Sequence, residues 1–222
     1  MTAVFVTATG TDVGKTFVTA GVIRELRHQN RSVQALKPVV SGFDPTAVGT
    51  SDTGIILDAL GREPTPDAIA GISPWRFAAP LSPDMAARRE NRAVDFDALL
   101  GFCRDNIAAA QGPLLIEGVG GIMVPLDNDH TVVDWMDALK LPVLLVAGSY
   151  LGTISHTLSA LDVLRRRGLS IMSAVVSESA ASPVDLEETA ATIRRFGGCD
   201  VQTLPRLTAP NHPAFTALAA RL

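Results

Sequence analysis

The sequence predicts a single α/β domain, a three-layer sandwich in which helices flank a mainly parallel central sheet. Residues 114–116 (LLI) and 143–146 (VLLV) are unbroken apolar runs, which are typical of parallel strands covered on both faces. Predicted strands and helices alternate along the chain, and this order favours right-handed helical crossovers. A predicted strand at 3–7 runs into a Gly/Thr loop and then a helix at 15–29, as in P-loop nucleoside triphosphatases.

The remaining elements follow from the same periodicities and from the positions of proline. The second predicted strand ends at Lys37-Pro38, because proline disfavours helical backbone in the residue before it. Prolines are frequent between residues 61 and 92, so loops and short helices are expected there. Further strands are predicted at 32–36, 170–176 and 201–204, and further helices at 51–60, 96–110, 154–167 and 183–196. No repeat or linker interrupts this order, and one domain is expected over residues 1–222.

Composition argues against several classes of protein. The chain has 222 residues, of which 47% are hydrophobic, and this suffices for one substantial core. No apolar run reaches the roughly 18 residues that cross a bilayer, and the N-terminus lacks a signal-peptide pattern. We therefore expect a cytoplasmic protein without a membrane partner. A formal net charge of −4 gives no support to nucleic-acid binding, and the cysteines and histidines show no metal-site spacing.

A phosphate-binding loop is predicted at residues 9–16 (TGTDVGKT), directly after the first strand. The backbone N–H groups of such a loop, together with the N-terminus of the following helix, bind phosphate oxygens. Lys15 would reach the β- and γ-phosphates, and the Thr16 hydroxyl would ligate Mg²⁺. Thr9 stands where the strict motif has its first glycine. The prediction therefore depends on the Gly-Lys-Thr sequence and on its place between a strand and a helix.

Three more charged residues are candidates for the same site. Glu117 closes the 114–116 strand and precedes a glycine-rich stretch. Carboxyl ends of parallel strands are where α/β folds bind ligands, so Glu117 is predicted to contact a metal ion. Lys37 also follows a strand and should point into the same crevice as Lys15, where it would stabilise transferred negative charge. Asp52 is ambiguous by pattern, because an Asp in the first turn of a helix also suits the helix dipole.

Five motifs give the chain a resemblance to dethiobiotin synthetases. They are TDVGKT at 11–16, KPVVSG at 37–42, SD at 51–52, FAAPLSP at 77–83 and EGVGG at 117–121. These motifs occur in the order and spacing of that family, and LGTISH at 151–156 is similar to a further family segment. The resemblance covers roughly residues 3–180.

This resemblance implies an activity in biotin biosynthesis. The family makes dethiobiotin from 7,8-diaminononanoate, CO₂ and ATP, with Mg²⁺ as the cofactor. An amine captures CO₂ as a carbamate, which attacks the γ-phosphate to give a carbamic–phosphoric anhydride. The other amine then closes the cyclic urea and expels phosphate. By resemblance, Lys15, Lys37 and Thr11 would be the catalytic residues of this chain.

The resemblance also implies a set of binding residues. The nucleotide would be bound by Asp12, Val13, Gly14, Lys15, Thr16, Glu117, Gly118, Gly120 and Ser177. Mg²⁺ would be held by Thr16, Asp52 and Glu117. The substrate would be bound by Thr11, Lys37, Ser41, Pro80, Ser82, Leu151, Gly152, Thr153 and Ser155. The family works as a homodimer with its substrate site at the subunit interface, so positions 151–155 would serve the site of the other subunit.

Three positions depart from the family pattern. Ala8 replaces a glycine that is usual there, and Asp12 stands where a longer glutamate is frequent. Ser177 lies where the family often reads adenine with an asparagine, which leaves the selectivity for the nucleotide base open.

Two other functions are alternatives. A related P-loop amidoligase would activate a carboxylate, but it needs an ammonia source, usually a glutaminase domain, for which 222 residues leave no room. A partition-type switch ATPase would carry a further lysine early in the P-loop, and none occurs between residues 1 and 14. Such switches also commonly end in a membrane-binding helix, whereas residues 214–222 contain one cation and would bind anionic lipid poorly.

Overall fold

The computed structural model describes residues 3–180, 182–206 and 212–222. Its strands are β1 (Ala3–Ala8), β2 (Gln34–Leu36), β3 (Val39–Ser41), β4 (Trp75–Phe77), β5 (Leu114–Glu117), β6 (Val143–Gly148), β7 (Ile171–Ser177) and β8 (Val201–Leu204). Its α-helices are α1 (Lys15–His28), α2 (Asp52–Ala59), α3 (Pro66–Ile72), α4 (Pro83–Arg89), α5 (Phe96–Ala109), α6 (Val132–Leu139), α7 (Thr153–Arg166), α8 (Leu186–Gly197) and α9 (Pro213–Ala219).

Six strands form the central sheet in the order β2-β5-β1-β6-β7-β8, and the described pairings within it are all parallel. The apolar runs predicted as strands are β5 and β6, and both are buried along their whole length. Val6 of β1 is paired with Glu117 of β5, and Ala8 is paired with Val146 of β6. The predicted α/β class with a mainly parallel sheet is confirmed. The carboxyl ends of the three central strands lie side by side, where the loop after β1 begins.

Helices pack on this sheet through close aromatic and aliphatic contacts. Phe5 of β1 and Trp135 of α6 meet edge to face with ring centroids 4.8 Å apart, an arrangement that aromatic quadrupoles favour. The α1 helix packs against α9 at Gly21, where an added Cβ would lie 2.3 Å from the Phe215 ring. No helix in the described part of the chain is long and apolar enough to cross a membrane.

A second sheet was not predicted. Val39–Ser41, within the KPVVSG motif, forms β3 and pairs in parallel with β4. Val39 and Val40 are buried, and β-branched side chains favour strand backbone. Beyond the two strands, the amide of Gly42 donates to the carbonyl of Ala79 at 3.0 Å. This sheet therefore holds the KPVVSG and FAAPLSP motifs against each other.

Local capping explains where the other elements differ from prediction. The helix expected at 183–196 begins at Leu186, because the Asp185 carboxylate caps it by accepting from the amide of Glu188 at 2.8 Å. The α6 and α9 helices were not predicted. The α6 helix has a capping box between Thr131 and Asp134, a signal that is readable from the sequence.

Candidate active site

The loop at 9–16 joins β1 to α1 and contains two residues with left-handed backbone. Asp12 has a φ of 57° and Gly14 a φ of 89°. Gly14 is the N-cap of α1 and no side chain caps the helix there, so the first N–H groups of α1 are available to an anion. A Cβ on Gly14 would lie 2.6 Å from Ser177 Oγ. Both the backbone and the space therefore require glycine at this position.

Four charged side chains converge beside this loop, as the sequence predicted for Lys15, Lys37 and Glu117. The Lys37 ammonium lies 2.8 Å from Asp52 Oδ2 and 2.8 Å from Glu117 Oε1. The Lys15 ammonium is 3.6 Å from the same Glu117 oxygen. Lys37 and Glu117 are 1% and 0% exposed, so their mutual attraction is little screened by water. The structure also places Asp52 in this cluster, although its pattern was ambiguous.

Burial and neighbouring charges both shift the pKa values of these four groups. Burial lowers the pKa of Lys15, and the neighbouring Lys37 lowers it further. Burial also disfavours the charged form of Lys37, but Glu117 and Asp52 outweigh it and raise the pKa of that ammonium. Burial opposes ionisation of both carboxyls, yet Lys37 keeps the pKa of Glu117 below its usual value and that of Asp52 at about 2. Lys37 and both carboxylates are therefore charged at neutral pH.

Oxygen atoms of three residues form a candidate cation site. The Thr16 hydroxyl lies 2.8 Å from Asp52 Oδ1 and 2.7 Å from Glu117 Oε1. A hydroxyl donates one proton, so Thr16 satisfies only one of these oxygens at a time. Glu117 Oε2 is buried and has no hydrogen-bond partner among the described residues. Carboxylate and hydroxyl oxygens are the ligands that Mg²⁺ prefers, so these residues fit the metal site that the sequence predicted.

This site differs from a typical all-protein metal cluster. Within residues 3–180, 182–206 and 212–222, no three His, Cys, Asp or Glu side chains form a group that could hold a metal ion. The candidate site has two carboxylates and one hydroxyl. Protein ligands in such small number are usual for Mg²⁺ that is shared with substrate phosphates.

A cavity of about 850 Å³ opens above the charged cluster. It is lined by the predicted residues Thr11, Asp12, Gly14, Lys15, Thr16, Lys37, Ser41, Asp52, Pro80, Ser82 and Gly120. Its lining also includes the apolar residues Val40, Leu81, Val119 and Val124, here called its apolar wall. Leu81 belongs to the 80–83 loop that was expected to line the substrate site, whereas the three valines were not singled out. Ser41 Oγ is buried without a partner among the described residues, so it can bind a polar group of a ligand.

A second cavity, of about 300 Å³, lies on the other side of the phosphate loop. It shares Asp12, Gly14 and Phe17 with the large cavity, and the predicted residues Val13 and Ser177 line it. Its other lining residues, which the sequence analysis did not identify, are Glu178, Ser179, Ala180, Pro205 and Arg206. The two cavities therefore meet at the phosphate loop.

Two further predicted residues, Glu117 and Gly118, do not line either cavity. Glu117 lies beneath the large cavity as the partner of both lysines, and the Gly118 carbonyl accepts a hydrogen bond from Lys37 at 2.8 Å. Gly118 thus contributes to the site through its backbone.

The segment 151–155 also lies outside both cavities. Leu151 is 84% exposed, and Gly152 and Ser155 are exposed as well. Thr153 is buried, and its hydroxyl donates to the carbonyl of Gly148. In one chain, therefore, these four predicted substrate residues do not meet the rest of the site.

Known proteins resemble this chain in sequence and in fold. A family described as an AAA domain matches residues 2–211. The ATP-dependent dethiobiotin synthetase BioD of Acidiphilium cryptum is 51% identical over 199 residues, which cover 89% of this chain and 89% of that protein. The BioD of Phenylobacterium zucineum is 45% identical over 229 residues, which cover 100% of this chain and 97% of that protein.

Among solved structures, the septum site-determining protein MinD of Pyrococcus horikoshii, complexed with Mg-ADP, has a TM-score of 0.59. Its sequence identity is 16%, and the match covers 98% of this chain and 94% of that chain. A ParA family ATPase of Chlorobium tepidum has a TM-score of 0.57 at 11% identity. At these identities the likeness shows a shared fold alone.

Proposed function

The chain belongs to the family of ATP-dependent dethiobiotin synthetases, and we propose that it catalyses their ligase reaction in biotin biosynthesis. The reactants would bind in the two cavities beside the phosphate loop. One amine of 7,8-diaminononanoate binds CO₂ as a carbamate. A carbamate oxygen attacks the γ-phosphorus of ATP, and ADP leaves. The second amine then attacks the carbonyl carbon of the carbamic–phosphoric anhydride, the C–O bond to phosphate breaks, and dethiobiotin is formed.

Lys15 and Lys37 would stabilise the phosphoryl group during its transfer. The supporting observation is that both ammonium groups approach the same Glu117 oxygen, at 3.6 and 2.8 Å, beside the phosphate loop. Phosphoryl transfer requires little covalent help from a protein, so positioning and charge stabilisation account for most of the catalysis. Thr11 lines the large cavity and would orient the carbamate.

Thr16, Asp52 and Glu117 would hold Mg²⁺. When bound, this ion would neutralise charge on the β- and γ-phosphates. The support is the buried, unpartnered Glu117 Oε2 and the hydroxyl that lies between two carboxylates.

We assign the two cavities to different parts of the reactants. The diamine would lie in the large cavity, with its aliphatic chain along the apolar wall of Val40, Leu81, Val119 and Val124. The nucleoside of ATP would lie in the small cavity beside Ser177, and its phosphates would cross the loop that both cavities share.

We also propose that the protein is a cytoplasmic homodimer. The exposed segment 151–155 would bind the distant carboxylate of the substrate in the site of the other subunit. Gly152 is the N-cap of α7 and no side chain caps that helix. The Thr153 amide donates to the Tyr150 carbonyl at 3.0 Å, so the amides that follow it would bind the carboxylate. The 84% exposure of Leu151 is consistent with a contact that a second chain completes.

The convergence of Lys15 and Lys37 on the buried Glu117 carboxylate is the observation that best supports this function. The test is phosphate release from MgATP and bicarbonate, with and without 7,8-diaminononanoate, while dethiobiotin is followed by mass spectrometry. We expect phosphate and dethiobiotin in equal amounts, and only when the diamine is present. Lys140→Ala is a suitable control, because this lysine is 59% exposed and pairs with Asp137.

The alternatives predict different results in the same assay. A switch ATPase, which the fold shared with MinD would permit, would release phosphate whether or not the diamine is present. A carboxylate-activating amidoligase would require another acceptor and would form no dethiobiotin. Either result would contradict the proposed reaction.

A further inference from the structure

Lys37 has three close oxygen partners, as many as an ammonium group has N–H donors. Its Nζ atom lies 2.8 Å from Asp52 Oδ2, 2.8 Å from Glu117 Oε1 and 2.8 Å from the carbonyl oxygen of Gly118. An ammonium has three N–H donors, so these three oxygens use all of them. The side chain is 1% exposed. In this arrangement Lys37 has no donor to spare for a phosphate.

We propose that Lys37 and a divalent cation compete for Asp52 and Glu117, so that the cation binds only together with a polyphosphate that becomes the new partner of Lys37. This inference deepens the proposed function and rests on it for the identity of the metal site. Lys37 would thus have two sets of partners, the carboxylates before the nucleotide binds and the phosphate oxygens afterwards. Lys37 would thus couple binding of the metal ion to binding of the nucleotide.

The competition follows from the contacts that Lys37 makes with both carboxylates of the metal site. Glu117 Oε1 accepts from Lys37 at 2.8 Å and from the Thr16 hydroxyl at 2.7 Å, and the Lys15 ammonium is 3.6 Å away. Lys37 thus contacts one oxygen of each carboxylate, at 2.8 Å in both cases. A metal ion held by the same two carboxylates would lie next to the Lys37 ammonium, and the two cations would repel each other. Binding of the metal therefore requires Lys37 to move to other partners.

The charge of the cluster favours simultaneous binding of metal and nucleotide. Lys15 and Lys37 contribute two positive charges, and Asp52 and Glu117 contribute two negative charges. A divalent cation alone would leave this cluster with a net charge of +2. Lys15, Lys37 and Glu117 are buried and only Asp52 is partly exposed, and uncompensated buried charge is costly. A polyphosphate brings several negative charges, and its oxygens offer Lys37 charge-assisted hydrogen bonds in place of those it loses.

The first test is the binding of Mg²⁺ alone to nucleotide-free protein, measured by titration calorimetry. Lys37→Met should bind Mg²⁺ at least about tenfold more tightly than the wild type, a difference of about 1.4 kcal/mol, because the variant frees both carboxylates. Lys15→Met is the matched control. It removes the same charge, but Lys15 makes no contact with Glu117 shorter than 3.6 Å, so we expect a smaller gain.

Two outcomes of this titration would overturn the proposal. The affinity for Mg²⁺ in Lys37→Met could equal that of the wild type, which would mean that Lys37 does not block the site. Alternatively, Lys15→Met could gain as much as Lys37→Met, which would mean that only the overall charge matters.

A second measurement needs no substitution of Lys37 and covers the case in which Lys37→Met does not fold. The chain contains three lysines, Lys15, Lys37 and Lys140, so protein labelled with ¹³C at lysine Cε gives three NMR signals. Lys140→Arg assigns the exposed lysine and Lys15→Met assigns Lys15, so the remaining signal belongs to Lys37. The Lys37 signal should stay in place when Mg²⁺ is added alone, and it should move when Mg²⁺ is added with a non-hydrolysable ATP analogue.

A Lys37 signal that moves with Mg²⁺ alone, or that stays in place with Mg²⁺ and the analogue, would overturn the proposal. Both measurements are independent of turnover. If the protein makes dethiobiotin but shows neither metal effect, only this inference fails and the proposed function stands.

Discussion

The two cavities share a phosphate loop but differ in the chemistry of their walls. The large cavity lies above two lysines and two carboxylates, and two of these four side chains, Lys37 and Glu117, are almost fully buried. The small cavity is lined by hydroxyl groups, backbone and a pair of residues near the surface, Glu178 and Arg206. Buried charge is therefore concentrated on one side of the loop.

This difference suits the large cavity to the reaction and the small cavity to recognition of the nucleoside. Burying charged groups costs free energy unless they are paired. Buried charges are therefore expected where they can stabilise charge that moves during the reaction. A nucleoside base is neutral, and hydroxyl and backbone groups suffice to bind it. Substitutions in the large cavity should therefore change turnover, those in the small cavity should change nucleotide affinity, and those in the shared loop should change both.

The largest effect is expected for Lys37→Met, which leaves the small cavity unchanged. Turnover should fall by about 10²–10³, as it does when one preorganised charge-stabilising group is removed. Affinity for the ATP analogue in the presence of Mg²⁺ should stay within about tenfold, because the contact strengthens mainly in the transition state. Single-turnover phosphate release and nucleotide binding are the two measurements. Near-normal turnover would contradict the assignment of charge stabilisation to the large cavity.

The site residues that could be identified from the sequence are those whose positions depend on local sequence pattern. Gly14, Lys15 and Thr16 follow directly after β1, and their roles depend on the loop and the helix start that they themselves form. Glu117 was identifiable because it ends β5, and carboxyl ends of parallel strands lie together at one edge of the sheet. The same argument placed Lys37 after β2.

Other parts of the site depend on contacts between distant segments. Asp52 reaches Thr16 across 36 positions of sequence, so its helix position alone could not distinguish a metal ligand from a residue that favours the helix dipole. Val40 and Leu81 meet in one wall because β3 and β4 pair, and this small sheet has no strong periodic signal in three-residue strands. Pro205 and Arg206 reach the small cavity only because β8 lies beside β7.

The next effect in size concerns the loop that both cavities share. Gly14→Ala should weaken nucleotide binding by about tenfold or more, since a left-handed backbone costs a non-glycine residue about 1–3 kcal/mol. In addition, the new Cβ would lie 2.6 Å from Ser177 Oγ and 3.2 Å from Ser177 Cβ, so the Ser177 side chain must rotate and the loop must move by a few tenths of an ångström. Both the affinity for the ATP analogue and the rate of phosphate release should fall, which calorimetry and the phosphate assay would detect.

Gly10→Ala is the matched control within the same loop. A Cβ at Gly10 meets no atom within 4 Å, and Gly10 is not among the residues with positive φ. We expect nucleotide affinity close to that of the wild type. Equal losses in the two variants would mean that the loop tolerates no side chain at all, and the argument from backbone and space at Gly14 would fail.

The smallest effect is expected in the small cavity, for Ser177→Ala. The Ser177 side chain is 8% exposed and lines the proposed nucleoside site. Loss of one hydrogen bond should raise KM for the nucleotide by about threefold, within the usual 0.5–1.5 kcal/mol, and leave kcat unchanged. Ser159→Ala, at an exposed position of α7, should change neither quantity.

The same variant distinguishes how the small cavity recognises a base. A hydroxyl both donates and accepts hydrogen bonds, so it can pair with the amino group of adenine or with the carbonyl of guanine. We therefore expect Ser177→Ala to raise KM for ATP and for GTP to a similar extent, which steady-state kinetics with each nucleotide would measure. A loss confined to ATP would show that Ser177 selects adenine, and a fall in kcat would show that the small cavity takes part in the reaction itself. Such a fall in kcat would contradict the assignment of reaction to the large cavity and nucleotide binding to the small one.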